Sequence, residues 1–123
     1  MAGMLYLVPT PIGNLGDISK RARETLESAD FIAAEDTRVT LKLLNHLELK
    51  KPLVSYYEHN KSFKGEKILD RILSGETCAL VSDAGSPAIS DPGEDLVKQC
   101  AAAGITVCAI PGPCAAITAL SIS

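Results

Sequence analysis

Three Gly- and Pro-rich runs hold the residues best suited to receive a small ligand: PTPIGNLGD at 9–17, SDAGSPAISDPG at 82–93 and PGPCAA at 111–116. The second joins the Asp83 carboxylate to the unhindered backbone of Gly85 and the fixed turn of Pro87. Main-chain groups there can hold an uncharged or zwitterionic molecule, with Asp83 serving either the ligand or the turn. The first run is a poor phosphate cradle. Gly13 and Gly16 do not complete G-x-G-x-x-G, and Pro9 and Pro11 remove donors that a phosphate needs, so a rigid strand-to-helix turn is the competing reading. Proton chemistry is available in YEHN at 57–60, where the His59 imidazole titrates near neutrality and Glu58 can orient it. The stretch AEDTR at 34–38 supplies Glu35 and Asp36, the latter also suited to cap a helix.

The elements that must position these groups are legible from periodicity. Residues 4–8 form an apolar strand, and Asp17 is expected to cap a helix carrying Ile18, Ala22, Leu26 and Ala29 on one face. A second strand at 30–34 leads into a helix over 37–47 with Leu41, Leu44 and Leu47 inward. The third strand covers 53–56. A helix over 62–74 follows, with Ile68, Leu69, Ile72 and Leu73 on one side and Gly75 as its stop. The fourth strand is 77–81. Asp91 and Glu94 form a capping box around Pro92, opening a helix through Leu96, Val97 and Cys100 to Gly104. The fifth strand, 106–110, precedes a helical run from Ala115 to Ser123. Alternation of this kind gives an α/β fold, a five-stranded mainly parallel sheet with helices on both faces. All three ligand runs then leave the carboxyl ends of strands, where open sheets bind ligands.

A length of 123 residues accommodates one domain with its own core, and 46% hydrophobic with 22% charged residues excludes disorder as the main state. The net charge of −3 excludes a uniformly basic nucleic-acid binder. Local clusters remain at Lys20, Arg21 and Arg23, at Lys50 and Lys51, and at Lys61, Lys64 and Lys67, each read as a solvated helix face. Cys78, Cys100, Cys108 and Cys114 form no C-x-x-C pair, and residues 1–8 do not resemble a signal peptide, so a cytoplasmic protein with reduced thiols is expected. The uncharged stretch 101–123 is long enough to span a bilayer, but Pro111, Gly112 and Pro113 would leave backbone groups unpaired in lipid, so no membrane is expected.

Taken in order, AEDTR, YEHN, SDAGSPAISDPG and IPGPCAA resemble the tetrapyrrole methylase superfamily over residues 4–123. Within it the chain looks most like members that methylate a cytidine ribose 2′-hydroxyl in small-subunit ribosomal RNA. The resemblance implies two α/β domains with S-adenosylmethionine in the cleft between them. Residues 1–123 correspond to the amino-terminal domain and lack the carboxy-terminal one. It also implies the ribosomal RNA or the 30S particle as partner, a homodimer, and no resident metal.

By motif position, the cofactor contacts implied are Ile12, Asp83, Ala84, Gly85, Ser86, Ile89, Cys114 and Ala115. Ser86 stands where tetrapyrrole enzymes carry Asp, and Asn14 also replaces an acid. Cys114 replaces Thr or Ser. Its thiol is read as packing, since methyl transfer needs no protein nucleophile. Glu35 matches the position of a catalytic Asp and is the first choice of general base, with His59 second and Asp36 a cap. Arg38 either neutralises Asp36 or meets an RNA phosphate, and His46 lies at the surface. Methylation of a tetrapyrrole or other small molecule, and an inactive binding or dimerising domain, are the alternative functions.

Overall fold

The computed structural model describes residues 3–9, 18–57, 61–82, 91–110 and 114–115. Its strands are β1 (Leu5–Pro9), β2 (Phe31–Ala34), β3 (Leu53–Ser55), β4 (Cys78–Ser82), β5 (Val107–Ala109) and β6 (Cys114–Ala115). Its helices are α1 (Lys20–Ser28), α2 (Thr37–His46), α3 (Lys61–Leu73) and α4 (Asp91–Ala102). The sheet order is β3-β2-β4-β1-β5-β6. The first five strands are parallel. That is the expected α/β sheet, with β6 added antiparallel to β5. Ala115, expected to open a helix, therefore lies on a short strand, held there by its antiparallel pairing with Val107 of β5. Residues 116–123 lie outside the described residues.

Both faces of the sheet are covered, and strand alternation divides the core accordingly. Phe31, Ala33, Cys78 and Leu80 face one cluster with Ile68 and Ile72 of α3 and Leu96 and Cys100 of α4. Ile32, Ala34, Ala79 and Val81 face the other, with Ala22 and Leu26 of α1 and Leu43 and Leu44 of α2. Gly65 allows the first of these layers to close, since a Cβ there would press on the Gln99 side chain across the α3–α4 contact.

Helix boundaries show where local chemistry overrode simple periodicity. Ser19, rather than Asp17, caps α1, its Oγ accepting the Ala22 N–H at 3.1 Å. In α2 the buried face is Thr40, Leu43, Leu44 and Leu47, while Leu41 is exposed. Thr40 can face inward because its hydroxyl donates to the Asp36 carbonyl at 3.3 Å, leaving its methyl to pack. Leu73 is likewise exposed rather than buried. The helix ends were clearer: Gly75 and Gly104 have φ of 115° and 78° and terminate α3 and α4.

The end of α2 uses the same left-handed device with a glutamate. Glu48 has φ of 61°, its N–H reaches the Asn45 carbonyl and the Leu49 N–H reaches the Leu44 carbonyl. Since a side chain is costly in this conformation, Glu48→Gly is expected to stabilise the protein by about 0.5–1 kcal/mol, measured by urea unfolding.

Cysteine chemistry divides in two. Cys108 is disulfide-bonded, so the expectation of reduced thiols throughout does not hold. The antiparallel turn of β6, invisible in Cys spacing, sets the Cys114 backbone opposite Cys108. Cys78 and Cys100 are free and fully buried. Desolvation pushes the Cys100 thiol up to about 12 and Cys78 higher still. Only the thiolate attacks, and at pH 8 roughly one Cys100 in 10,000 would be ionised. Iodoacetamide labelling followed by peptide mass analysis should therefore modify neither residue in the native protein, and both after unfolding.

Candidate functional site

Strand register sets the carboxyl ends of the parallel strands along one edge. Pro9 of β1 pairs with Ser82 of β4, Ala34 of β2 pairs with Val81 of β4 and Ser55 of β3, and Leu7 of β1 pairs with Ala109 of β5. Five strands thus end side by side, and the runs after β1, β4 and β5 leave from adjacent positions. After β1 the chain passes to α1 on one face of the sheet, whereas after β4 it passes to α4 on the other. Diverging connections of this kind open a crevice between neighbouring strand ends. The second strand diverges from β4 in the same way, since α2 lies with α1.

Glu35 sits at this crevice, directly after β2, and is half-buried. The backbone before it is fixed by the Tyr56 N–H donating to the Ala34 carbonyl at 2.9 Å. The residue after it is the N-cap of α2, where an Asp36 carboxylate oxygen accepts the Arg38 N–H at 3.0 Å. The two acids of AEDTR are therefore distinguished by geometry. Asp36 is committed to the helix, whereas among the described residues nothing hydrogen-bonds the Glu35 carboxylate. The Arg38 guanidinium lies 3.5 Å from Asp36 and is 90% exposed, so it neutralises the cap while remaining open to solvent.

The Arg38 N–H, with smaller help from the Arg38 charge, holds the Asp36 carboxyl below its ordinary range. A lowered folded-state pKa gives stability that is present above the unfolded value, about 3.9, and is lost as pH falls through the folded value. Acid titrations followed by circular dichroism should show Asp36→Ala less stable than wild type at neutral pH, with the difference closing below about pH 4.

Cofactor positions inferred from sequence fall mostly beyond these elements. Ile12, Asp83, Ala84, Gly85, Ser86 and Ile89 lie outside the described residues, as does His59. Cys114 and Ala115 are placed by their backbone on β6, beside β5. Glu35 is therefore the one candidate whose setting can be followed atom by atom. Unanticipated on this edge are two exposed aromatic residues, Tyr57, just past β3, and Phe63, in the first turn of α3. Phe63 is signalled only by falling off the Ile68/Ile72 face. His46 is exposed, as expected. The opposite edge is occupied by structural contacts: Asp30 accepts the Thr77 N–H at 2.7 Å and Lys51 donates to the Ala29 carbonyl at 2.8 Å.

The family model for tetrapyrrole (corrin/porphyrin) methylases matches residues 4–123. A Vibrio cholerae protein named ribosomal RNA small subunit methyltransferase I is 56% identical across 99% of this chain and 42% of its own length. A protein of the same name from Halalkalibacterium halodurans is 59% identical across 98% of the chain and 42% of its own length. The chain thus spans less than half the length of these relatives. Among solved structures, uroporphyrin III C-methyl transferase from Thermus thermophilus superposes with a TM-score of 0.69 over 89% of this chain and 48% of its own, at 18% identity. A diphthine synthase gives 0.70 over 89% and 44%, at 17% identity. These last two establish the shared fold.

Proposed function

Because this chain belongs to the tetrapyrrole (corrin/porphyrin) methylase family, we propose that it is the amino-terminal domain of an S-adenosylmethionine-dependent methyltransferase acting on a cytidine ribose 2′-hydroxyl in small-subunit ribosomal RNA. A carboxy-terminal domain would close the other side of the cleft. The high identity to two relatives named for small-subunit ribosomal RNA supports this substrate over a porphyrinogen. The observation that supports the site is the register of β1, β2, β4 and β5, whose carboxyl ends lie side by side, with Glu35 directly after β2 and the three ligand runs following the other strands in sequence.

The residues suit a zwitterionic cofactor. Three Gly- and Pro-rich runs follow the neighbouring strands β1, β4 and β5, and their main-chain groups would serve such a ligand at the switch point where α/β sheets bind theirs. Ala84, Gly85, Ser86 and Ile89 would hold it from the β4 run, with Asp83 at its polar end. Ile12 would contribute from the β1 run, and Cys114 and Ala115 from β6. When bound, the cofactor supplies an electrophilic methyl group on a sulfonium. Transfer to oxygen is an in-line displacement, so the protein's task is alignment, exclusion of water and removal of one proton. Glu35 accepts the hydroxyl proton in this reading, with His59 the alternative acceptor. Such a protein would work in the cytoplasm, as a homodimer.

Radiolabelled S-adenosylmethionine incubated with the full-length protein and either small ribosomal subunits or a porphyrinogen tests the substrate. Label is expected on a cytidine ribose of the subunit RNA, and label on the porphyrinogen alone overturns the reading. Calorimetry on residues 1–123 tests the cleft. Tight cofactor binding by this domain alone would contradict the need for a second domain.

A further inference from the structure

We propose that the surface formed by α2, the end of β3 and the start of α3 is the platform that holds a single-stranded segment of the RNA substrate, with Arg38, Lys42, Lys64 and Lys67 meeting phosphates and Tyr57 and Phe63 stacking on bases. The proposal rests on the RNA reading above and adds where the RNA lies. Charge is its first support. Residues 37–67 contain seven of the chain's 12 Lys and Arg but three of its 15 Asp and Glu, a net +4 against −7 for all other residues. A chain acidic overall thus concentrates its positive charge in one segment, and although Lys51 is held at the opposite edge, Arg38, Lys42, Lys64 and Lys67 remain for local phosphate binding here.

Exposure supplies the second support. Phe63 is 60% and Tyr57 42% exposed, although aromatic residues are scarce in this chain. The Lys67 ammonium lies 4.5 Å from the Phe63 ring centroid, so a cation and a stacking face stand together, the pairing that sequence-tolerant single-strand binding uses. Helix α2 contains no acidic residue. Arg38 and Lys42, one turn apart on it, are both exposed, as are Val39 and Leu41 beside them.

Topology supplies the third. Helix α2 begins at the carboxyl end of β2 and α3 follows the carboxyl end of β3, and these two strands are neighbours. The first turns of the two helices, on opposite faces of the sheet, therefore flank the strand end that carries Glu35. RNA held here would bring a ribose to the crevice. A second copy of the chain fits less well, because a twofold contact through this surface would bring Arg38, Lys42, Lys64 and Lys67 against the same four cations.

The test uses full-length protein, a fluorescent single-stranded RNA oligonucleotide and purified small subunits. One variant combines Arg38→Gln, Lys42→Gln, Lys64→Gln and Lys67→Gln, and another carries Phe63→Ala with Tyr57→Ala. The charge variant is expected to lower the slope of log affinity against log salt by about 3, since each single-strand phosphate contact contributes about 0.7. The aromatic variant is expected to bind RNA about 10-fold or more weakly, with an unchanged slope. The charge variant should retain wild-type melting temperature, and both variants wild-type calorimetric affinity for S-adenosylmethionine. Wild-type RNA affinity and slope in both variants overturn the platform while leaving the RNA reading intact. Failure of the wild-type protein to bind RNA or methylate subunits overturns both. A change in self-association by sedimentation, without a change in RNA affinity, assigns the surface to a contact between copies and overturns the proposal.

Discussion

Full-length protein carrying Glu35→Gln is expected to methylate small ribosomal subunits about 10²–10⁴-fold more slowly than wild type, the usual contribution of a positioned general base. The substitution keeps the side chain's size and its ability to hydrogen-bond but removes the proton acceptor. Little else should change. Glu35 is half-buried, and the contacts that fix the backbone on either side come from Tyr56 and Asp36. Cofactor affinity and melting temperature should therefore match wild type, confining the loss to kcat. A loss in kcat at unchanged KM, cofactor affinity and melting temperature is a readout that a purely structural role would not give.

The adjacent acid sharpens this test. Asp36→Asn should leave turnover nearly intact, because Asn still caps a helix and, in the proposed reaction, the substrate proton goes to Glu35. An active Glu35→Gln enzyme would refute Glu35 as the base and direct attention to His59, whose replacement by alanine would then carry the loss.

What the sequence disclosed follows from how local each signal is. Strand and helix alternation was legible because both periodicities are strong and Gly75 and Gly104 stop their helices at left-handed positions. The facing of α2 was misjudged at Leu41, since a search for leucines overlooks a threonine that satisfies its own hydroxyl within the helix. Strand β6 was missed because two residues carry no periodicity and their pairing depends on β5. At the site, family motifs pointed to Glu35, and the helix-cap hydrogen bond of Asp36 sets the two acids apart. The charge segregation of residues 37–67 was present in the sequence from the start. Reading each Lys cluster separately concealed it, and the topology that joins α2 to α3 gives it meaning.

The second large effect is expected on stability. Phe31 opens β2, is fully buried, and belongs to the cluster under α3 and α4. Its ring also supports a charged group, since the Arg71 guanidinium lies 3.7 Å from its centroid and donates to both Glu76 carboxylate oxygens at 2.8 and 3.0 Å. That ion pair raises the affinity of Arg71 for its proton and lowers that of Glu76. Truncation to alanine removes the ring from the core and from beneath Arg71 together. Phe31→Ala should cost about 3–5 kcal/mol in urea unfolding with an unchanged m-value, a large share of the roughly 5–15 kcal/mol that holds a typical domain folded. Phe31→Leu, which keeps most of the volume, should cost less than about 1.5 kcal/mol. If both variants lose the same amount, the cation–ring contact outweighs the cavity. If Phe31→Ala loses less than about 1.5 kcal/mol, the core has collapsed into the space. Function offers the finer discrimination. Three residues of β2 separate Phe31 from Glu35, which follows the strand directly, so a loosened β2 should lower kcat in Phe31→Ala protein that is still fully folded, while Phe31→Leu retains wild-type turnover.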